Sequence, residues 1–154
     1  MKTIYFSSDH AGHEMRLALI GFVEGLGYQT EDLGPAEYND SDDYPDFIAP
    51  IAAKISSIER SGKSSFGIIL GGSGQGEAIV ANRFSGVRAG VFNCSNLELV
   101  RLLREHNDAN ILSIGARFVS EGVAEEAVKL FLETEFSHEE RHERRIKEID
   151  MDCR

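Results

Sequence analysis

Phe66-Gly67-Ile68-Ile69-Leu70-Gly71-Gly72-Ser73-Gly74-Gln75-Gly76-Glu77 runs from an apolar segment into a glycine-rich turn. Its first five residues are almost purely apolar, as a central parallel strand covered on both faces must be. The glycines after it supply a tight turn, and the following sequence predicts a short helix to about Arg83. The same alternation extends in both directions. Upstream, Thr3 to Ser7 reads as a first strand. Met15, Leu19, Phe22, Val23 and Leu26 then follow at helical spacing, with Gly27 as terminator. Tyr28 to Leu33 reads as a second strand, and an acidic loop runs on to Tyr44. Pro45 suggests a helix start, with Ile48, Ile51, Ala52 and Ile55 as its apolar stripe. Pro50 predicts that this helix starts late or kinks.

Downstream, Arg88 to Phe92 is a fourth strand and Ile111 to Ile114 a fifth. Ser95 with Glu98 predicts a capping box for the helix between them, with Leu99, Val100 and Leu103 inward. Ala124, Ala127, Val128 and Phe131 line another helix. Ser137 with Glu140 predicts a second capping box, opening a highly charged C-terminal helix. Strand and helix alternate throughout, with no internal repeat or linker. The expectation is one α/β domain over residues 1–154: a doubly wound, Rossmann-like parallel sheet of about five strands, with helices on both faces.

The net charge of −10 repels phosphate backbones and anionic lipid, which argues against nucleic-acid or membrane partners. Two cysteines, Cys94 and Cys153, make no disulfide framework, and Cys94 reads as packed, not reactive. No apolar run is long enough to span a membrane, and the sequence opens directly into a strand pattern without a signal segment. The expected location is the cytoplasm.

In a parallel sheet, ligands bind at the carboxyl ends of the strands, which singles out Ser7 to His10, the turn after Leu70, the segment after Phe92 and the turn after Ile114, and the strongest of these is the turn at residues 71–77. Its backbone N–H groups and the helix N-terminus suit an anion, either a phosphate or an oxyanion formed in a reaction. It is not a dinucleotide fingerprint, because Glu77 stands where the third glycine belongs. No Gly-Lys-Ser/Thr follows, so it is not a P-loop. A nucleotide- or flavin-binding role is disfavoured on those grounds. A plain strand-to-helix turn capped by Glu77 is the competing reading. A carboxylate beside such N–H groups is also the pair that proton abstraction from carbon needs, with Ser73 able to donate to the same oxygen.

Three further stretches carry candidate chemistry. Asp9 and His10, at the end of the first strand, could orient a sugar hydroxyl and meet a phosphate, or serve as a cap and a surface residue. His106, at a helix C-terminus, is a dipole partner or an acid that opens a sugar ring. Arg141 and Arg145, four apart, lie on one helix face, with His138 and His142 beside them. They form a salt-bridged solvated face or, with Arg117, a phosphate clamp. The histidines show no metal-ligand pattern, so no metal is expected.

Ser8-Asp9-His10-Ala11-Gly12, Asp43-Tyr44-Pro45, Gly72 to Glu77, Glu105-His106-Asn107-Asp108 and Arg141-His142-Glu143-Arg144-Arg145 occur in one order and spacing. Together they resemble the ribose-5-phosphate isomerase B family, within the wider group that includes galactose-6-phosphate isomerase subunits. The resemblance covers nearly the whole chain. It implies a homodimer, or a tetramer of paired dimers, with active sites at the subunit interface and no metal or other cofactor. Glu77 would shuttle a proton between carbons 1 and 2, Ser73 would assist, and the backbone of Gly72, Gly74 and Gly76 would hold the enediolate. His106 and Asp9 would open the ring. His10, Arg117, Arg141 and Arg145 would bind phosphate, while Tyr44 and Asn107 would line the sugar. Some members carry a cysteine base where this chain has Gly71, so the resemblance is to the branch that uses glutamate. Residues 35–41 match nothing specific. A hexose 6-phosphate such as allose or galactose 6-phosphate is the alternative substrate, and a non-catalytic sugar-phosphate-binding regulator is the alternative class.

Overall fold

The structure, a computed structural model, describes residues 2–152. Five strands form one parallel sheet in the order β2-β1-β3-β5-β4. They are β1 (Thr3–Ser8), β2 (Gln29–Asp32), β3 (Phe66–Gly71), β4 (Ala89–Phe92) and β5 (Ile111–Gly115). The helices are α1 (His13–Gly25), α2 (Tyr44–Arg60), α3 (Gln75–Ala81), α4 (Glu98–Asn107), α5 (Glu121–Glu133) and α6 (Glu140–Asp152). The strand read as central is central. Every residue of β3 is buried, and β3 pairs with β1 on one side and β5 on the other.

The period-two pleat divides the core into two layers. Ile4, Phe6, Ile68, Leu70, Leu112 and Ile114 face α1, α4 and α5, meeting Leu19, Val23, Val100, Ala127 and Phe131. Tyr5, Ile69 and Ile111 face α2 and α3, meeting Ile48, Ile51, Ala52, Ile55 and Ala81. Each aliphatic side chain buried this way contributes about 2 kcal/mol of transfer free energy. Helices therefore cover both faces, as the alternating pattern predicts.

Local chemistry departs from expectation in four helices. Pro50 neither delays nor ends α2, which runs unbroken from Tyr44 to Arg60 with Pro45 in its first turn. Pro50 lies on the exposed side, so the carbonyl it cannot serve belongs to exposed Asp46. The Ser95–Glu98 capping box does not form: α4 starts at Glu98, and the Glu98 N–H donates to Asn96 Oδ1 at 3.2 Å. Leu99 faces outward, 50% exposed, while Val100 and Leu103 pack inward. The Ser137–Glu140 box is also absent. Glu140 is the first residue of α6, and Glu139, whose carbonyl accepts from the His142 N–H at 2.8 Å, stands at the cap. Leu26 is outside the α1 core, and the helix buries Arg16 instead. Cys94 is half-buried against the first core layer, and Cys153 lies outside the described residues.

Parallel pairing brings the carboxyl ends of β1, β3 and β5 to one edge, and backbone bonds stitch the loops there. The Asp9 N–H donates to Leu70 O, Ala116 N–H to Gly71 O and Arg117 N–H to Gly72 O, at 3.2, 2.8 and 3.1 Å.

Candidate active site

The glycine turn is fixed from below and from the side. Ser113 Oγ donates to Gly74 O at 2.6 Å, and Asn93 Nδ2 donates to Ser73 O at 3.1 Å. Gly74 caps α3 with φ of +77°, a left-handed conformation that glycine adopts without strain. Ser73 Oγ accepts from the Gln75 N–H at 3.3 Å. Glu77 follows in the first turn of α3, only 3% exposed. Its carboxyl lies over Gly71, where a Cβ would overlap it. Burial pushes the Glu77 carboxyl above the usual carboxylate range; a bond from its own backbone N–H opposes this and the charge of Asp9 adds to it.

In front of Glu77 opens a cleft of about 380 Å³, lined by Tyr44, Gly72, Ser73, Gly76, Arg117 and Phe118. Two glycines make room for its walls. A Cβ on Gly76 would come within 2.7 Å of the Tyr44 ring, and one on Gly72 within 3.2 Å of the Arg117 guanidinium. Asp9, 7% exposed, accepts the Gly12 N–H at 3.2 Å, so it is the cap the sequence suggested as well as a neighbour of Glu77. His10 Nδ1 stands 2.6 Å from Asp42 Oδ1. That bond raises the His10 pKa, burial opposes it, and Asp9 adds to the rise. Asp9, His10 and Asp42 bring their ligand-type atoms within 4.8 Å of one another. Two of those atoms are spent on each other in the His10–Asp42 bond, so the group reads as an ion pair rather than a metal centre.

The remaining candidates form a second cluster. His106 stacks on His142, with centroids 4.3 Å apart and planes 15° from parallel. His142 is buried, and burial, then the neighbouring His106, lowers its pKa. Arg141 pairs with Glu139 at 2.9 Å, and Arg145 is exposed. Asn107 lines a separate cleft of about 390 Å³ with Leu103, Ala109, Ile149 and residues 82–89. Within one chain these groups do not reach the Glu77 cleft. Helix α4 ends where β5 begins, at the amino edge of the sheet, whereas Glu77 lies at the carboxyl edge. Strand β5 alone spans about 13 Å.

Asp42, Phe118 and Arg16 are the residues sequence reasoning missed, and it gave His142 no role beyond a neighbour of the arginines. Arg16 carried a signal, because it stands three residues before Leu19 on the apolar face of α1. Asp42 carried none among the acids around it. Arg16 Nη1 donates to Ser8 Oγ at 2.9 Å, its Nη2 donates to Pro35 O at 2.7 Å, and its Nε stands 3.2 Å from Asp32 Oδ1.

Residues 4–149 match the family described as Ribose/Galactose Isomerase. The chain belongs to that family. Ribose-5-phosphate isomerase B of Mycolicibacterium paratuberculosis is 40% identical over 143 residues, covering 93% of this chain and 86% of the relative. The Mycobacterium tuberculosis (strain H37Rv) protein of that name is 38% identical over 143 residues, 93% of this chain and 85% of its own length. Among solved structures, ribose-5-phosphate isomerase B from Mycoplasma genitalium with bound ribulose-5-phosphate superposes with a TM-score of 0.90 at 32% identity, covering 97% of this chain and 95% of that one. The Thermotoga maritima enzyme gives 0.84 at 38% identity, covering 97% and 98%. This ribose/galactose isomerase family member shares their parallel sheet and its helical layers. Among its described residues, no helix is long and apolar enough to cross a membrane.

Proposed function

We propose that this chain interconverts ribose 5-phosphate and ribulose 5-phosphate through an enediolate, with Glu77 as the base. The observation that carries the reading is the buried, pKa-raised Glu77 carboxyl beside the glycine turn. Burial brings its affinity for a proton closer to what removal of a hydrogen from carbon requires. In the forward direction Glu77 takes the proton from carbon 2 of the open-chain aldose. Negative charge develops on the carbonyl oxygen of carbon 1, where the N–H groups of residues 72–76 offer hydrogen bonds. Glu77 returns the proton to carbon 1. The hydroxyl proton on oxygen 2 passes to oxygen 1 with help from Ser73, which leaves a ketone at carbon 2. Atoms and charge balance without an added reactant.

His10 and Arg117 bind the phosphate from the Glu77 side, and Tyr44 lines the sugar. His106, Asn107, Arg141 and Arg145 complete the site from the partner subunit of a homodimer, alone or paired into a tetramer. His106 acts with Asp9 in ring opening. The separation of the two clusters within one chain supports this division. A phosphorylated sugar substrate fits a cytoplasmic location. Turnover of ribose 5-phosphate by the purified protein, with chelator present, tests the reading beside allose 6-phosphate and galactose 6-phosphate. Turnover of a hexose phosphate alone would replace the substrate and keep the chemistry. Binding without turnover of any would leave a regulator.

A further inference from the structure

Residues 35–41 of the loop between β2 and α2 match nothing specific, yet the residue that follows them, Asp42, brings a buried carboxylate to His10. The Asp42 side chain is 4% exposed, its Oδ1 lies 2.6 Å from His10 Nδ1, and its Oδ2 is buried without a partner. Tyr38, from the same loop, sets its ring edge-on to both His10 and His13, at 6.2 Å in each case. The Asp42 N–H donates to Asn39 O at 3.3 Å, which holds the loop in a turn.

A carboxylate near a phosphate site has the wrong sign, in a chain whose net charge is already −10. The imidazole explains it. At pH 7.5 an ordinary histidine is charged in only about one molecule in ten. A phosphate ligand needs that charge throughout the working range. Resting on the reading of His10 as a phosphate contact, we propose that Asp42 is a positioning residue. It fixes the His10 ring with Nδ1 protonated and leaves Nε2–H as the ring donor for a phosphate oxygen.

The charged groups around the ring agree with this in sum. Asp42, from the loop, and Asp9, beside His10, favour the imidazolium, and Arg117, from the loop after β5, opposes it. Asp42 contributes most, because it alone bonds to the ring. The Asp42 charge is thereby spent inside the protein, and the pair presents no net negative charge to the ligand. The acidic loop becomes a specificity element that keeps the site competent above neutral pH.

The test uses Asp42→Asn, which keeps a hydrogen-bond acceptor and removes the charge, and Asp42→Glu as the conservative variant. NMR titration of His10, assigned with His10→Gln, gives its midpoint in the free protein. Binding of inorganic phosphate is measured at pH 8 and at pH 5.5. The expected results are a lower His10 midpoint in Asp42→Asn, recovery in Asp42→Glu, and phosphate affinity about tenfold weaker at pH 8. At pH 5.5 the wild type and Asp42→Asn converge, which loss of a merely structural contact would not produce. An unchanged His10 midpoint in folded Asp42→Asn overturns the proposal, and so does an equal loss of phosphate binding at both pH values. These readouts need no isomerisation, so failure of ribose 5-phosphate turnover would count against the proposed activity alone.

Discussion

The Glu77 carboxyl occupies the space that any side chain at Gly71 would need. The last residue of β3 and the third residue of α3 thus compete for one place. The glycine at 71 leaves the room that the carboxyl fills, and on the proposed mechanism that is how the chain carries its base. Gly71→Ala should displace the carboxyl and lower kcat by at least about 100-fold, against an overpacking cost of about 1–3 kcal/mol in stability. Steady-state kinetics beside thermal unfolding check this. A fully active Gly71→Ala enzyme would mean that the carboxyl position is unimportant.

Burial of Glu77 also sets a sign for pH and stability. Its folded-state pKa lies above its unfolded one, so folding disfavours the charged form. The site is most stable below the unfolded carboxylate value. Stability is lost as pH rises from there through the folded value. Glu77→Gln should therefore raise Tm at pH 7 and leave it nearly unchanged near pH 3. As a base, Glu77 must be ionised, so kcat/KM should rise with pH through the folded value. Calorimetry across pH and a pH–rate profile measure the two effects.

Much of this arrangement was legible in the sequence, for identifiable reasons. The apolar run at residues 66–70 and the glycines after it mark a central strand and a tight strand-to-helix turn by composition alone. Glu77 stood out as a carboxylate beside a glycine turn, a position that suits a plain cap as well as a base, and the fold buries it at the cleft. The helix starts were less legible. Ser95 and Ser137 have the capping-box spacing, yet Leu97 and Glu139 stand at the actual ends, with Asn96 Oδ1 accepting the Glu98 N–H. Asp42 is one of several acids in a short stretch, and only the path of the chain brings it to His10. The remoteness of His106 from Glu77 could not be read from motifs, since it follows from which edge of the sheet each helix ends on.

Arg16 is a structural counterpart to the site residues. Its fork ties the 33–36 loop to the end of β1, one residue before Asp9. Arg16→Met should leave Ser8 Oγ and Pro35 O without their donor, costing about 2–4 kcal/mol. For a chain of this length, that lowers Tm by roughly 5–15 °C. Lysine should rescue little, because one ammonium cannot reproduce the fork. Differential scanning calorimetry of both variants gives the answer.

If Glu77 and His106 serve one site from two subunits, inactive variants should complement each other. Glu77→Gln and His106→Gln, unfolded together and refolded at equal ratio, form half mixed dimers. Each mixed dimer carries one intact site, so about a quarter of wild-type activity should return. Mixtures that stay as inactive as their parts would place both residues in one subunit's site, or in none.

Turnover of ribose 5-phosphate by Glu77→Gln shows whether Glu77 moves the proton. Binding of the sugar phosphate should stay near the wild-type value while kcat falls by about 10³-fold or more, because the glutamine keeps the shape and loses the base. Near-normal kcat in that variant would rule out Glu77 as the base and assign the proton transfer to another group.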